Sequence, residues 1–139
     1  MAPLRLKYQT IEFGNVDIHL CSLRNKHEFS DLNGDAEKLG ISSAAWPIFG
    51  VVWPSSIVLA NFMMDFDTRD KRILEVGCGL GLSSILLNKL GDDVTATDHH
   101  PSANHFLIRN TLLNNDTAIP FERVGWTDSD DQLGFVTVN

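Results

Sequence analysis

The sequence predicts an α/β fold with a parallel sheet, crossover helices and an N-terminal β-hairpin, on three observations. From residue 72 onward, short apolar runs alternate with helical patterns in the order strand, helix, strand, helix, strand. That order requires crossover connections and so a parallel sheet. The first of these strands runs into a glycine loop, "LEVGCGLGLSS" (Leu74–Ser84), which opens a helix. At the N-terminus, two alternating runs flank Gly14-Asn15, a two-residue loop of the kind that closes tight hairpins. Together these describe a Rossmann-like sheet.

In chain order, "YQTIEF" (Tyr8–Phe13) and "VDIHLCSL" (Val16–Leu23) are the hairpin strands, each with one covered face. The polar segment "RNKHEFSDLNGDAEKLGISSAAWP" reads as a loop with at most a short helical turn. Asp31, Asn33 and Asp35 hint at a calcium loop there. The pattern fails at Ala36, where glycine is required, and at Ser42, where a bidentate glutamate belongs. Pro54 suits the first position of a helix, and Val58, Leu59, Phe62, Met63 and Phe66 recur at helical spacing, predicting a core-facing stripe. "TRDKRILEVGC" is a strand, and "GLSSILLNKLG" a helix with Leu82, Ile85, Leu86 and Leu90 on one side and Gly91 as its stop. "DDVTATD" is a strand ending at Asp98, "PSANHFLIRNTLLNN" a helix starting at Pro101, and "IPFERVGW" a third strand. "FVTVN" reads as the start of a fourth.

Composition narrows the function classes. At 139 residues the chain suits one domain, with 43% apolar and 21% charged residues. A formal charge of −7 argues against non-specific binding to nucleic acid or anionic membrane, because no basic excess exists to neutralise phosphates. No segment approaches the length of a membrane span, and the N-terminus lacks a signal-peptide core. Two cysteines, Cys21 and Cys78, do not make a disulfide framework, so a reduced, cytoplasmic protein is expected. His99, His100 and His105 do not suggest a metal, since adjacent histidines rarely converge on one ion.

The glycine loop and its flanking acids select the ligand. The dinucleotide fingerprint is G-x-G-x-x-G, whereas Gly77, Gly79 and Gly81 give G-x-G-x-G with Leu82 in the third glycine's place. Glu75 precedes the glycines. A carboxylate there repels a pyrophosphate and attracts an ammonium or sulfonium group, both of which S-adenosyl-L-methionine carries. Asp98, ending the second strand, lies at the same sheet edge and suits two ribose hydroxyls, a feature shared with NAD. A cap for the following helix is its alternative role.

"ILEVGCGLGLSSILLNKLGDDVTATD" resembles motif I through the ribose acid of class I, seven-β-strand methyltransferases. "GVVWPSSIVLANFM", "NHFLIRNTLLNN" and "ERVGWTD" narrow the resemblance to methyltransferase family 16, which includes protein-lysine methyltransferases. The resemblance spans roughly Trp46 to Trp126. It implies S-adenosyl-L-methionine as cofactor and a protein substrate. It further implies that Trp53 packs near the methionine end and that Glu75 steers the ammonium. The backbone of Gly77, Cys78 and Gly79 would lie along ribose and methionine. Asp98 would hold the ribose hydroxyls, His99 would border the adenine and Trp126 would flank it.

The family pattern continues through further strands and an acceptor-facing segment that does not follow "DDQLGFVTVN". The expectation is therefore a fold cut short after the start of the fourth strand. Residues 1–45 would be a hairpin and loop extension, and residues 46–139 the cofactor-binding half. No catalytic residue is assigned. The expected function is methyl transfer to protein lysine. Two alternatives stand beside it: a catalytically inactive half-domain that binds adenosylmethionine or a protein, and a nucleotide-dependent oxidoreductase fragment. The chain alone is expected to self-associate and to show no methyl transfer.

Overall fold

The computed structural model describes residues 5–24, 34–41 and 48–125. Strands β1 (Leu6–Phe13) and β2 (Val16–Leu23) form the antiparallel hairpin, with Phe13 opposite Val16 across the Gly14-Asn15 turn. After the short α1 (Asp35–Lys38) and a 3₁₀ turn at Ile48–Gly50 comes α2 (Pro54–Asp65). Next are β3 (Arg72–Glu75), α3 (Leu82–Lys89), β4 (Asp93–Asp98), α4 (Ala103–Leu113) and β5 (Phe121–Arg123). The second sheet is parallel, in the order β3-β4-β5. The α/β class, the parallel sheet and the hairpin are thus as the sequence predicts.

Pro54 does sit in the first turn of α2, where its missing N–H leaves nothing unpaired. Gly91 follows α3 with a left-handed φ of 88°, donating to the Asn88 carbonyl. The second crossover helix begins at Ala103, two residues after the expected Pro101, because Pro101 and Ser102 are used in a turn. "FVTVN" and Trp126 lie outside the described residues, as do Asp31 and Asn33 of the calcium-like stretch. Among the described residues no cluster of acids, histidines or cysteines could hold a metal ion. No helix of the described residues is long and apolar enough to cross a membrane.

One core cluster joins the hairpin to the parallel sheet: Phe13, Ile18 and Leu20 pack with Leu82, Ile85, Leu86, Val94 and Leu107. The hairpin is held by hydrogen bonds as well. Alternate residues of an antiparallel pair turn their N–H and C=O away from their partner strand. At Cys21 those groups meet Asn110 of α4, whose Oδ1 accepts from the Cys21 N–H at 2.6 Å while its Nδ2 donates to the Cys21 carbonyl at 3.0 Å. Asn114, one helical turn on, does the same at His19 with both distances 2.8 Å. Two side-chain amides spaced i, i+4 thus substitute for a neighbouring strand.

The structure corrects the reading of α2. Its inward side is Ile57, Ala60, Met63 and Met64, packed against the core near α3. Val58, Leu59, Phe62 and Phe66 face outward, with Val58 69% and Phe62 61% exposed. Both sides of the helix are apolar, so spacing alone did not identify which one is covered. Leu90 is likewise exposed rather than core.

Candidate functional site

The C-terminal ends of β3 and β4 open into a cavity of about 480 Å³. Its floor is the glycine loop, and its walls come from the 3₁₀ turn, the start of α2 and the residues after β4. This is where a parallel α/β sheet places ligands.

The loop's shape depends on left-handed backbone at Gly77, Gly79 and Gly81, with φ of 64°, 56° and 77°. Gly79 is doubly constrained, because a Cβ there would also stand 3.1 Å from the Phe49 carbonyl oxygen. The loop's donors are largely used within the protein. The Cys78 N–H donates to the Thr97 carbonyl at 2.8 Å, and the Gly79 N–H to Asp98 Oδ2 at 2.7 Å. The Gly81 N–H donates to the Cys78 carbonyl at 2.8 Å.

The first turn of α3 is the usual seat of an anion, since its N–H groups have no helical partners. Here the protein supplies its own anion. Glu75 Oε1 accepts from the Ser84 backbone N–H at 3.3 Å and from the Ser84 hydroxyl at 2.8 Å. Burial pushes the Glu75 carboxyl up to about 6 from its ordinary 4.5; the two Ser84 bonds oppose the rise and the Asp98 charge adds to it. Ser84 is fully buried.

Both carboxylate oxygens of Asp98 hold backbone at the sheet edge. Its Oδ1 accepts from the His100 N–H at 2.9 Å, fixing the turn before α4, while Oδ2 holds the loop at Gly79. An ionised carboxylate has about four acceptor positions, so room remains for two further donors. The structure places His99 on the cavity wall, its Nε2 3.3 Å from the Leu39 carbonyl and its Nδ1 3.5 Å from Arg123 Nη1. Trp53 lies at the mouth, 41% exposed, with its carbonyl fixed by the Ser56 N–H at 2.9 Å and the Ser56 hydroxyl at 2.6 Å. Cys78 lines the floor, and burial, with Glu75 and Asp98 adding to it, raises its thiol so far that it stays protonated.

Trp53, Glu75, Gly77, Cys78, Gly79, Asp98 and His99 therefore share one cavity, and Trp126 falls outside the described residues. Sequence reasoning missed Ser84, whose signal was its place three residues after Gly81, where a helix's third N–H seeks an acceptor. It also missed Phe49 and His100. They stack at 4.0 Å between ring centroids and build one wall, and their distance in sequence left no local signal.

The donor set tests which ligand fits. Among the described residues two carboxylates and no lysine or arginine line the cavity, and an N–H of the first turn of α3 already holds Glu75. A cationic, phosphate-free nucleoside such as S-adenosyl-L-methionine fits these groups.

Comparison with known proteins agrees. A sequence model described as "Lysine methyltransferase" (methyltransferase family 16) matches residues 35–136. The chain is 46% identical over 52 residues to the protein-lysine methyltransferase METTL21E of Bos taurus, covering 34% of this chain and 18% of that protein. It is 36% identical over 85 residues to the protein N-lysine methyltransferase METTL21A of Danio rerio, covering 60% of this chain and 35% of that one. The chain thus spans about a third or less of the length of these relatives. Among solved structures, it is similar in fold to the Pyrococcus abyssi tRNA (uracil-54, C5)-methyltransferase in complex with S-adenosyl-L-homocysteine. That match has a TM-score of 0.52 at 18% identity, over 85% of this chain and 23% of the other. The family match, extending over well more than half of the chain and across the whole cavity floor, makes the protein a member of the lysine methyltransferase family, methyltransferase family 16.

Proposed function

We propose that this chain is the cofactor-binding part of an S-adenosyl-L-methionine-dependent methyltransferase acting on protein lysine. The observation that carries the cofactor is the Glu75 carboxylate seated on the first turn of α3, where a dinucleotide enzyme needs free N–H groups. The lysine acceptor rests on the family and on the named activities of the relatives.

Glu75 would hold the cofactor's ammonium, and the open acceptor positions of Asp98 its ribose hydroxyls. Gly77, Cys78 and Gly79 would lie along ribose and methionine. Trp53 would close the methionine end, with His99 and Trp126 beside the adenine. When bound, adenosylmethionine supplies an electrophilic methyl group for direct displacement. The chain's contribution is alignment and exclusion of water, which together lower the barrier without covalent chemistry by the protein. No residue is assigned the task of deprotonating the acceptor.

Residues 46–139 would carry this cofactor-binding part, with residues 1–45 an extension upon it. Free Cys21 and Cys78 support a reduced, cytoplasmic setting. The exposed apolar side of α2 supports self-association of the chain.

Calorimetry with adenosylmethionine, its demethylated product and NAD tests the reading. Binding of the first two and not the third is expected. Asp98→Ala should weaken adenosylmethionine roughly ten- to hundredfold, the worth of a hydrogen bond to a charged group. Binding of NAD alone would return the chain to the oxidoreductase alternative. A radiolabelled methyl-transfer assay separates an active chain from an inactive half-domain that only binds.

A further inference from the structure

We propose that Ser84 is a positioning residue for the cofactor site, acting through Glu75 to set the pH below which the cationic cofactor is lost. The proposal rests on the adenosylmethionine reading above. Two Ser84 donors, one from the backbone and one from the hydroxyl, converge on Glu75 Oε1. Oε2 has no hydrogen bond among the described residues, and Glu75 lines the cavity. Ser84 thus fixes one carboxylate oxygen against α3 and leaves the other toward the ligand. The hydroxyl also has a fixed role, since Ser84 is fully buried and its O–H donates to Glu75.

The groups around Glu75 make its charge conditional. From β4 comes the Asp98 carboxylate, and from the glycine loop the Cys78 thiol, which is protonated; His99 and His100 stand on the same cavity wall. Among the described residues no lysine or arginine lines the cavity to hold the carboxylate ionised. Burial and Asp98 favour the neutral acid, and the two Ser84 hydrogen bonds oppose them. The carboxyl titrates at about 6, so it is charged at neutral pH and loses its charge just below. An ammonium ligand prefers the charged form, so binding weakens as pH falls through that value and releases a proton as it forms there.

The test is calorimetry of the full chain with adenosylmethionine between about pH 5 and pH 7.5, where the ligand's own amino group, titrating at about 8, affects parent and variants alike. The parent should lose affinity by up to about tenfold per pH unit below the Glu75 midpoint. Ser84→Ala removes the hydroxyl bond, so its midpoint should move up by about one pH unit. Glu75→Gln should bind weakly with a flat profile. A uniform loss across pH in Ser84→Ala is what a merely structural role gives, and it overturns the proposal. So does an unshifted midpoint. Should Ser84→Ala fail to fold, Ser84→Cys keeps the shape with a weaker donor and should show a smaller upward shift; an unshifted midpoint there is equally fatal. Failure of the parent to bind adenosylmethionine at any pH overturns the cofactor reading too, whereas pH-independent binding overturns this inference alone.

Discussion

Glu75 stabilises the site and destabilises the fold, and the two effects are separable. Its carboxyl titrates at about 6 in the folded chain against an ordinary 4.5. Between those values the folded state binds more protons than the unfolded one, so this group favours unfolding as pH rises from 4.5 and does so fully above 6. The difference corresponds to about 2 kcal/mol at neutral pH. Glu75→Gln keeps an oxygen for Ser84 and carries no charge. It should therefore gain up to about 2 kcal/mol in urea unfolding at pH 7, with the gain shrinking as pH falls toward 4.5, while losing adenosylmethionine affinity. A variant less stable than the parent at pH 7 would show that Glu75 is not held ionised at a cost. The acid's importance was legible in the sequence because it ends the strand that runs into the glycine loop, two residues before Gly77. Its partner was not, since Ser84 is nine residues away and meets it only after the chain reverses through the loop.

At the scale of elements, the Asn110 and Asn114 pair does what a third hairpin strand would do. Asn110 is fully buried, and both ends of its amide bond the backbone of Cys21. Asn110→Ala would strand a buried N–H and a buried C=O at once. Each costs roughly 1–3 kcal/mol, so a loss of about 3 kcal/mol in denaturant unfolding is expected. A change below about 0.5 kcal/mol, the range of ordinary surface substitutions, would mean that other groups satisfy β2. The hairpin itself was legible from its alternation and its Gly14-Asn15 turn, both local signals. The amide bridge was not, because residues 89 positions apart must be brought together by packing. The reading of α2 failed for a related reason. Ile57, Ala60, Met63 and Met64 make one apolar side, and Val58, Leu59, Phe62 and Phe66 another, so spacing alone offered two faces.

For the whole molecule, that second face is the surface expected to decide association in solution. Val58, Phe62 and Phe66 form one exposed stripe on α2, with the Phe62 and Phe66 rings 5.7 Å apart and Leu59 beside it lining the cavity. An exposed apolar stripe is a surface that proteins use to pair with another copy. The net charge of −7 opposes association, so it should tighten as salt screens the repulsion. The 139-residue chain is therefore expected to self-associate in a concentration- and salt-dependent way, read by light scattering or sedimentation. Phe62→Glu puts a charge in the middle of the stripe, and Phe62 does not line the cavity. The variant should shift toward monomer while binding adenosylmethionine within about twofold of the parent, a difference of about 0.4 kcal/mol. A parent that stays a monodisperse monomer across concentration and salt would sink this account of the α2 face. A Phe62→Glu variant that associates as strongly as the parent would move the contact elsewhere.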